Sequence, residues 1–171
     1  MSSSQIVTSA ITVMFPAVMI FAGIMDLLTL KIRNILVSGI AVVYFVAAPI
    51  VGLSLAEIGL NVAVAALVLI VSFGFFAAGW IGGGDAKLAA ATALWFGWDH
   101  VLPYLIVSTL AGGLLTLAII GFRSILMPAR LYRFPWAVKL HESKTGVPYG
   151  IAFAIAALIV FPDTVWFQAL I

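Results

Sequence analysis

Residues 58–80 read IGLNVAVAALVLIVSFGFFAAGW and contain no charged side chain. Only Asn61 and Ser72 interrupt the apolar run with hydrophilic side chains. A helix needs about 20 predominantly apolar residues to cross the hydrocarbon core of a bilayer. The run therefore predicts a transmembrane helix, and the sequence on either side of it has the same character.

The composition of the whole chain excludes several classes of protein. Of its 171 residues, 65% are hydrophobic and 8% are charged, whereas soluble domains carry about 25% charged residues. A soluble monomer would lack the polar side chains to cover its surface, and disorder requires low hydrophobicity with high charge. The chain has no Cys, which excludes disulfides, thiolate metal sites and thiol nucleophiles. An integral membrane protein remains.

The spacing of the apolar runs predicts an all-α bundle of six transmembrane helices that forms one membrane-embedded domain over residues 1–171. The N-terminal segment lacks Lys and Arg, so we interpret the first run as a retained helix and not as a signal peptide. The predicted spans are about 6–27, 35–53, 58–80, 86–98, 101–122 and 147–170, and a basic loop covers about 123–146.

The basic residues predict the orientation of this bundle. With six spans, all eight Lys and Arg residues fall in loops on one side of the membrane. The positive-inside rule makes that side cytoplasmic and leaves both termini outside. Four tryptophans near the ends of runs are typical of the aromatic belt at a membrane interface: Trp80, Trp95, Trp98 and Trp166.

Two aspartates are the candidate catalytic residues, because ionisable groups in spanning segments are costly and usually functional. Asp26 lies near the cytoplasmic end of the first run, and Asp85 near the cytoplasmic start of the fourth. If their carboxylates meet, the pair shares one proton, and it can activate water while protonating a carbonyl oxygen. Two structural interpretations stay open: Asp85 as a helix-start carboxylate, and Asp26 as an ion-pair partner of Lys31 or Arg33.

Gly82, Gly83 and Gly84 directly precede Asp85 and break the apolar pattern. Glycine permits positive φ and close backbone approach. A protease binds its peptide in an extended form through free backbone groups, which a glycine loop beside a catalytic Asp would supply. A plain turn between two helices is the alternative interpretation.

Three segments carry a resemblance to a known family. The stretch Gly82-Gly83-Gly84-Asp85-Ala86-Lys87-Leu88 resembles the GxGD motif of type IV prepilin leader peptidases. The earlier block from Asp26 to Asn34 is similar to the family's other aspartate block, and Gly146-Val147-Pro148-Tyr149-Gly150 resembles the opening of its last helix. The blocks occur in the family's order and cover about residues 10–160.

The resemblance implies that Asp26 and Asp85 form the catalytic pair and that Gly82 and Gly84 are the motif glycines. It also suggests supporting roles for Lys87, Asn34, Pro148 and Tyr149. For these four residues, ordinary structural roles are equally open: an interfacial anchor for Lys87, an N-cap for Asn34 and a helix start for Pro148 and Tyr149.

The sequence departs from the family pattern at two points. Arg33 occupies a position where the family commonly has Pro, so we expect the second helix to start differently. The larger members carry paired CxxC motifs and a methyltransferase activity, and this chain has no Cys. The compact form is more similar to the peptidases of Flp (tight-adherence, Tad) pili, and N-methylation is not expected.

These observations predict an aspartic endopeptidase in the cytoplasmic membrane of a prokaryote, with its active site at the cytoplasmic face. The expected partners are a prepilin substrate and membrane lipid, with no nucleic acid, and no metal or organic cofactor is expected. Two alternatives stay open. One is a non-enzymatic protein, such as a proton-coupled transporter or a pilus-assembly subunit, and the other is a GxGD protease for different leaders, such as those of preflagellins.

Overall fold

A computed structural model describes residues 3–168, with side chains from residue 9 onward. This part of the chain is helical and contains no strand, which confirms the all-α prediction. The helices are α1 (Ser3–Thr29), α2 (Asn34–Val51), α3 (Leu55–Ala77), α4 (Gly83–Ser124), α5 (Pro135–His141), α6 (Tyr149–Val160) and α7 (Val165–Gln168). Two short 3-10 turns cover Ala129–Arg133 and Phe161–Asp163.

Four helices have the length and hydropathy that crossing a membrane requires: Ser9–Thr29, Asn34–Val51, Leu55–Ala77 and Gly83–Ser124. Between 17% and 39% of each is buried within the protein, so most of their apolar surface is left to lipid. The chain is thus a multi-pass membrane protein. The count of six spans stays a prediction, because α6 has only 12 residues, fewer than the roughly 20 of a typical span.

Helix α4 is interrupted at Gly97, whose φ of 58° and ψ of −163° are not helical. The rings of Phe96 and Tyr104 stack with their centroids 4.7 Å apart, although eight positions of straight helix would separate them by about 12 Å. The helix therefore folds back on itself at Gly97. Its first half (83–96) runs away from the end that carries Asp85, and its second half (98–124) returns. The sequence placed this turn slightly later, between 98 and 101.

The last predicted run, 147–170, is not one helix. Helix α6 ends at Val160, the 3-10 turn Phe161–Asp163 follows, and α7 begins only at Val165. Pro162 has no N–H to continue the helical ladder, and Thr164 is extended, with φ −82° and ψ 158°. Residues 169–171 lie outside the described part. The segment 123–146, predicted as a loop, also differs from the prediction, because it contains the 3-10 turn at 129–133 and the short helix α5.

An aromatic cluster forms the centre of the core and corrects the interpretation of two tryptophans. Trp95 and Trp166 are only 2% and 1% exposed, so they are core residues and not belt residues. The indole N–H of Trp95 donates to the Ile40 carbonyl at 3.1 Å, and that of Trp166 donates to the Trp95 carbonyl at 2.7 Å. Phe15 packs on Trp95. Trp80 and Trp98 are exposed, as belt residues would be.

Candidate active site

Asp26 lies in the last turn of α1 and is 4% exposed. Its Oδ2 accepts a hydrogen bond of 2.7 Å from the backbone N–H of Gly150, in the first turn of α6. The helix stops directly afterwards, because Leu30 adopts a φ of 53° that is unusual for a residue with a side chain. Asp26 is thus held at the junction between α1 and α6. No basic side chain of the described chain pairs with it.

Asp85 is the third residue of α4 and is 7% exposed. Its Oδ2 accepts a hydrogen bond of 3.0 Å from the N–H of Gly82, the residue that caps the helix. This is the contact expected of a helix-start carboxylate. The capping contact does not prevent a catalytic role, because it occupies only one oxygen and fixes the side chain.

Asp26 and Asp85 line one pocket of about 430 Å³. The pocket also contains the segment from Leu30 to Asn34 and the glycines Gly82, Gly83 and Gly84. Sequence topology predicted that the two aspartates lie at one depth, and the structure places them in one site. Two close carboxylates can hold one proton between them, and such a pair can act as general base and general acid.

The three glycines line the pocket, and none of them uses the positive φ that glycine permits. Gly82 is extended with φ −74°, and Gly83 and Gly84 are the first two residues of α4. The backbone instead approaches its neighbours closely. A Cβ at Gly82 would lie 2.8 Å from Asp85 Oδ2, and one at Gly84 would lie 3.1 Å from the Cβ of Ile32. The absence of side chains thus lets α4 begin against the segment that follows Asp26.

Lys87, on α4, is joined by a hydrogen bond to Asn34, which lines the pocket. The Lys87 Nζ donates to the Asn34 Oδ1 at 3.1 Å, so Asn34 contacts α4 and does not cap its own helix. Arg33 holds the N-cap position, without a side-chain hydrogen bond. Its φ of −74° is one that proline also adopts, so the backbone here has a proline-like φ although the residue differs.

Pro148 and Tyr149 do not line this pocket. Pro148 is buried and caps α6. Tyr149 is the first residue of α6, and its hydroxyl lies 3.4 Å from the Thr116 Oγ1. Gly150, the next residue, is the one that contacts Asp26, and the sequence did not identify it as a site residue. The one feature of the sequence that could have indicated this role for Gly150 is its position at the end of the Pro-Tyr-Gly block.

Among residues 3–168, no group of three or more His, Asp or Glu side chains is placed to hold a metal ion. The model of the type IV leader peptidase family matches residues 13–117, which is more than half of the chain and includes both aspartates and the three glycines. No curated protein and no solved structure matches the chain significantly. The family match, together with a membrane bundle that brings Asp26 and Asp85 into one pocket, identifies the chain as a member of the type IV leader peptidase family.

Proposed function

We propose that this protein is a membrane-embedded aspartic endopeptidase that removes the leader peptide of a type IV or Flp prepilin at the cytoplasmic membrane face. The pocket that holds Asp26 and Asp85 together carries the proposal. Membership of a peptidase family supports hydrolysis as the reaction. The clustering of basic residues in loops on one side supports the cytoplasmic location.

In this mechanism, one aspartate of the pair is charged and the other is protonated. The charged carboxylate takes a proton from water, and the oxygen of that water bonds to the scissile carbonyl carbon. The protonated carboxyl group donates its proton to the carbonyl oxygen. The C–N bond then breaks as the tetrahedral intermediate collapses, and the proton taken from water passes to the leaving amine. Burial of both carboxylates keeps bulk water from competing for these protons.

The position of the pair favours a protease over a transporter. Transporters typically hold ionisable groups near the bilayer midplane, on broken helices of repeated halves. Here Asp26 lies in the last turn of α1 and Asp85 in the first turn of α4, so both belong to helix ends. A site at the membrane surface can reach a peptide bond just outside the bilayer.

The test is cleavage of an Flp-type prepilin by the protein reconstituted in vesicles, compared with Asp26→Asn and Asp85→Asn. Asp163→Asn is the matched control, because this carboxylate is exposed in a turn outside the pocket. Mass spectrometry identifies the new N-terminus, and thermal unfolding checks that each variant folds. We expect both pocket variants to lose cleavage and the control to keep it. Full activity in either folded pocket variant would refute the shared-proton mechanism.

A further inference from the structure

A second, larger concavity of about 1210 Å³ lies between α3, the second half of α4 and α6. Its lining is almost entirely apolar and includes Val68, Val71, Leu102, Leu105 and Phe153. Leu102, at its edge, is 63% exposed, so the concavity is open to the membrane from the side. We refer to it as the lateral groove.

The wall of the lateral groove adjoins the wall of the carboxylate pocket at two neighbouring residues, Ile81 and Gly82. Trp80 and Ile81 line the groove, and the next residue, Gly82, lines the pocket and donates to Asp85. Along α4 the lining extends from Trp98 to Leu117, which corresponds to roughly 29 Å of helix at 1.5 Å per residue. The hydrocarbon core of a bilayer is about 30 Å thick. The groove lining on α4 is therefore about as long as a membrane is thick, and at Ile81 the groove reaches the residue before Gly82 of the carboxylate pocket.

Three hydroxyl groups of the groove are already satisfied within α4, and Asp99, beside the turn at Gly97, is the charged residue of the lining. The hydroxyls of Ser108, Thr109 and Thr116 each donate to the carbonyl four residues earlier, all at 2.7 Å. Between Leu102 and Leu117 an occupant therefore meets a largely apolar wall. Gly113 also lines the groove, and a Cβ built there meets no atom within 4 Å. Small residues at such a surface allow a second helix to approach closely.

From this geometry we infer that the lateral groove holds the apolar transmembrane helix of the precursor substrate, so that the peptide bond at the cytoplasmic end of that helix lies beside Asp85. The inference rests on the proposed function. The adjacency of Ile81 in the groove to Gly82 in the pocket favours this occupant over bulk lipid, because lipid needs no path to the carboxylates. A substrate helix needs one, since its scissile bond has to reach them.

Photo-crosslinking tests the inference without requiring cleavage. A photoreactive residue is placed at Leu102 in the groove or, as a control, at Val42 on α2, which is similarly exposed at 61%. Both proteins also carry Asp26→Asn and are mixed in vesicles with an Flp-type prepilin. We expect adducts to the apolar helix of the prepilin from position 102 and not from 42. Equal adducts from both positions, or adducts from 102 to lipid alone, would overturn the inference.

Filling the groove provides the second arm. A Cβ at Gly113 meets only open space, so we expect Gly113→Leu to fold, which thermal unfolding checks. Gly121→Leu is the matched control on the same helix, also open but outside the groove. We expect Gly113→Leu to lower both the crosslink and the cleavage rate at least about tenfold, and Gly121→Leu to change neither. Unchanged binding in Gly113→Leu would contradict the inference. Crosslinking at 102 without any cleavage by the unmodified protein would contradict the proposed protease and leave the groove as a helix-binding site.

Discussion

The backbone N–H of Gly150 donates a hydrogen bond of 2.7 Å to Asp26 Oδ2, although the two residues are 124 positions apart. The contact leaves no room for a side chain at position 150, because a Cβ there would lie 2.8 Å from the Cβ of Asp26 and 2.9 Å from its Oδ2. The first turn of α6 therefore determines where the Asp26 carboxylate lies, and α6 is outside the segment matched by the family model.

Replacing Gly150 with Ala should displace Asp26 without removing its charge. We expect Gly150→Ala to lower kcat about 10²-fold, because misplacement of a catalytic group by about 1 Å costs that much, while KM changes little. Gly146→Ala is the control, since a Cβ at Gly146 meets no atom within 4 Å. Steady-state cleavage kinetics provide the measurement. Equal activity in the two variants would show that the contact does not position the carboxylate.

The turn at Gly97 should tolerate no other residue. Its φ of 58° and ψ of −163° belong to a region that is essentially restricted to glycine, and a Cβ would collide with the Asn61 side chain. We expect Gly97→Ala to destabilise the protein by roughly 1–3 kcal/mol and to lower the Tm in detergent. Gly121→Ala, in open space on the same helix, should not lower it. An unchanged Tm in Gly97→Ala would argue against a sharp turn.

A disulfide can test whether the second half of α4 returns against α6. A Cβ built at Gly112 lies 3.7 Å from the Cβ of Ala152, within the roughly 3.5–4.5 Å that disulfides require. The chain has no native Cys, so the pair Gly112→Cys with Ala152→Cys is the only one present. We expect rapid oxidation, measured as loss of free thiols. The pair Gly113→Cys with Ala152→Cys should react slowly, and similar rates for both pairs would contradict the fold.

Arg123 holds the segment that leads into α6. Its guanidinium donates to the carbonyls of Leu140, Thr145 and Gly146 and to the Thr145 hydroxyl, at 2.8–3.2 Å. We expect Arg123→Ala to speed hydrogen exchange over residues 140–148 and to lower cleavage less than Gly150→Ala does. Arg123→Lys should restore little of the protection from exchange, because a single ammonium group cannot reproduce the planar, forked set of donors of a guanidinium group.

The exposed Arg130 provides the matched control for this change. Arg130→Ala should leave both the exchange rate over residues 140–148 and the cleavage rate near the values of the unmodified protein. If the backbone amides of residues 140–148 exchange equally fast in the two arginine variants, the Arg123 hydrogen bonds do not stabilise this segment.

The placement of the two aspartates could be predicted from the sequence because it depends only on counting spans. Apolar runs alternate in direction, so the end of the first run and the start of the fourth reach the same face. The distance between Asp26 and Asp85 depends instead on packing at Gly84 and Ile32, and on the contact between Asp26 and Gly150. Such contacts join segments far apart in the chain, and spacing alone does not reveal them.

The tryptophans show a second limit. In a soluble helix, a polar face marks the solvent and an apolar stripe marks the core. In a membrane, lipid is as apolar as the core, so this contrast disappears. Trp95 and Trp80 both lie near ends of apolar runs, yet one is 2% exposed and the other 70%. The sequence therefore predicted where helices lie along the chain and not which of their faces pack together.

The aromatic cluster has a mechanical consequence for the site. It fastens α1, α2 and the first half of α4 through Phe15, Ile40 and Trp95, and Trp95 lies ten positions from Asp85, or roughly 15 Å along the helix. If the first half of α4 tilts as a rigid body about Trp95, the displacement grows with distance from Trp95. A tilt of about 4° over that arm shifts the Asp85 carboxylate by about 1 Å, the scale at which rates change about 10²-fold. The distance between the two carboxylates therefore depends on packing in the aromatic cluster. We expect substitutions at Phe15 or Trp95 to change the cleavage rate although neither residue lines the pocket.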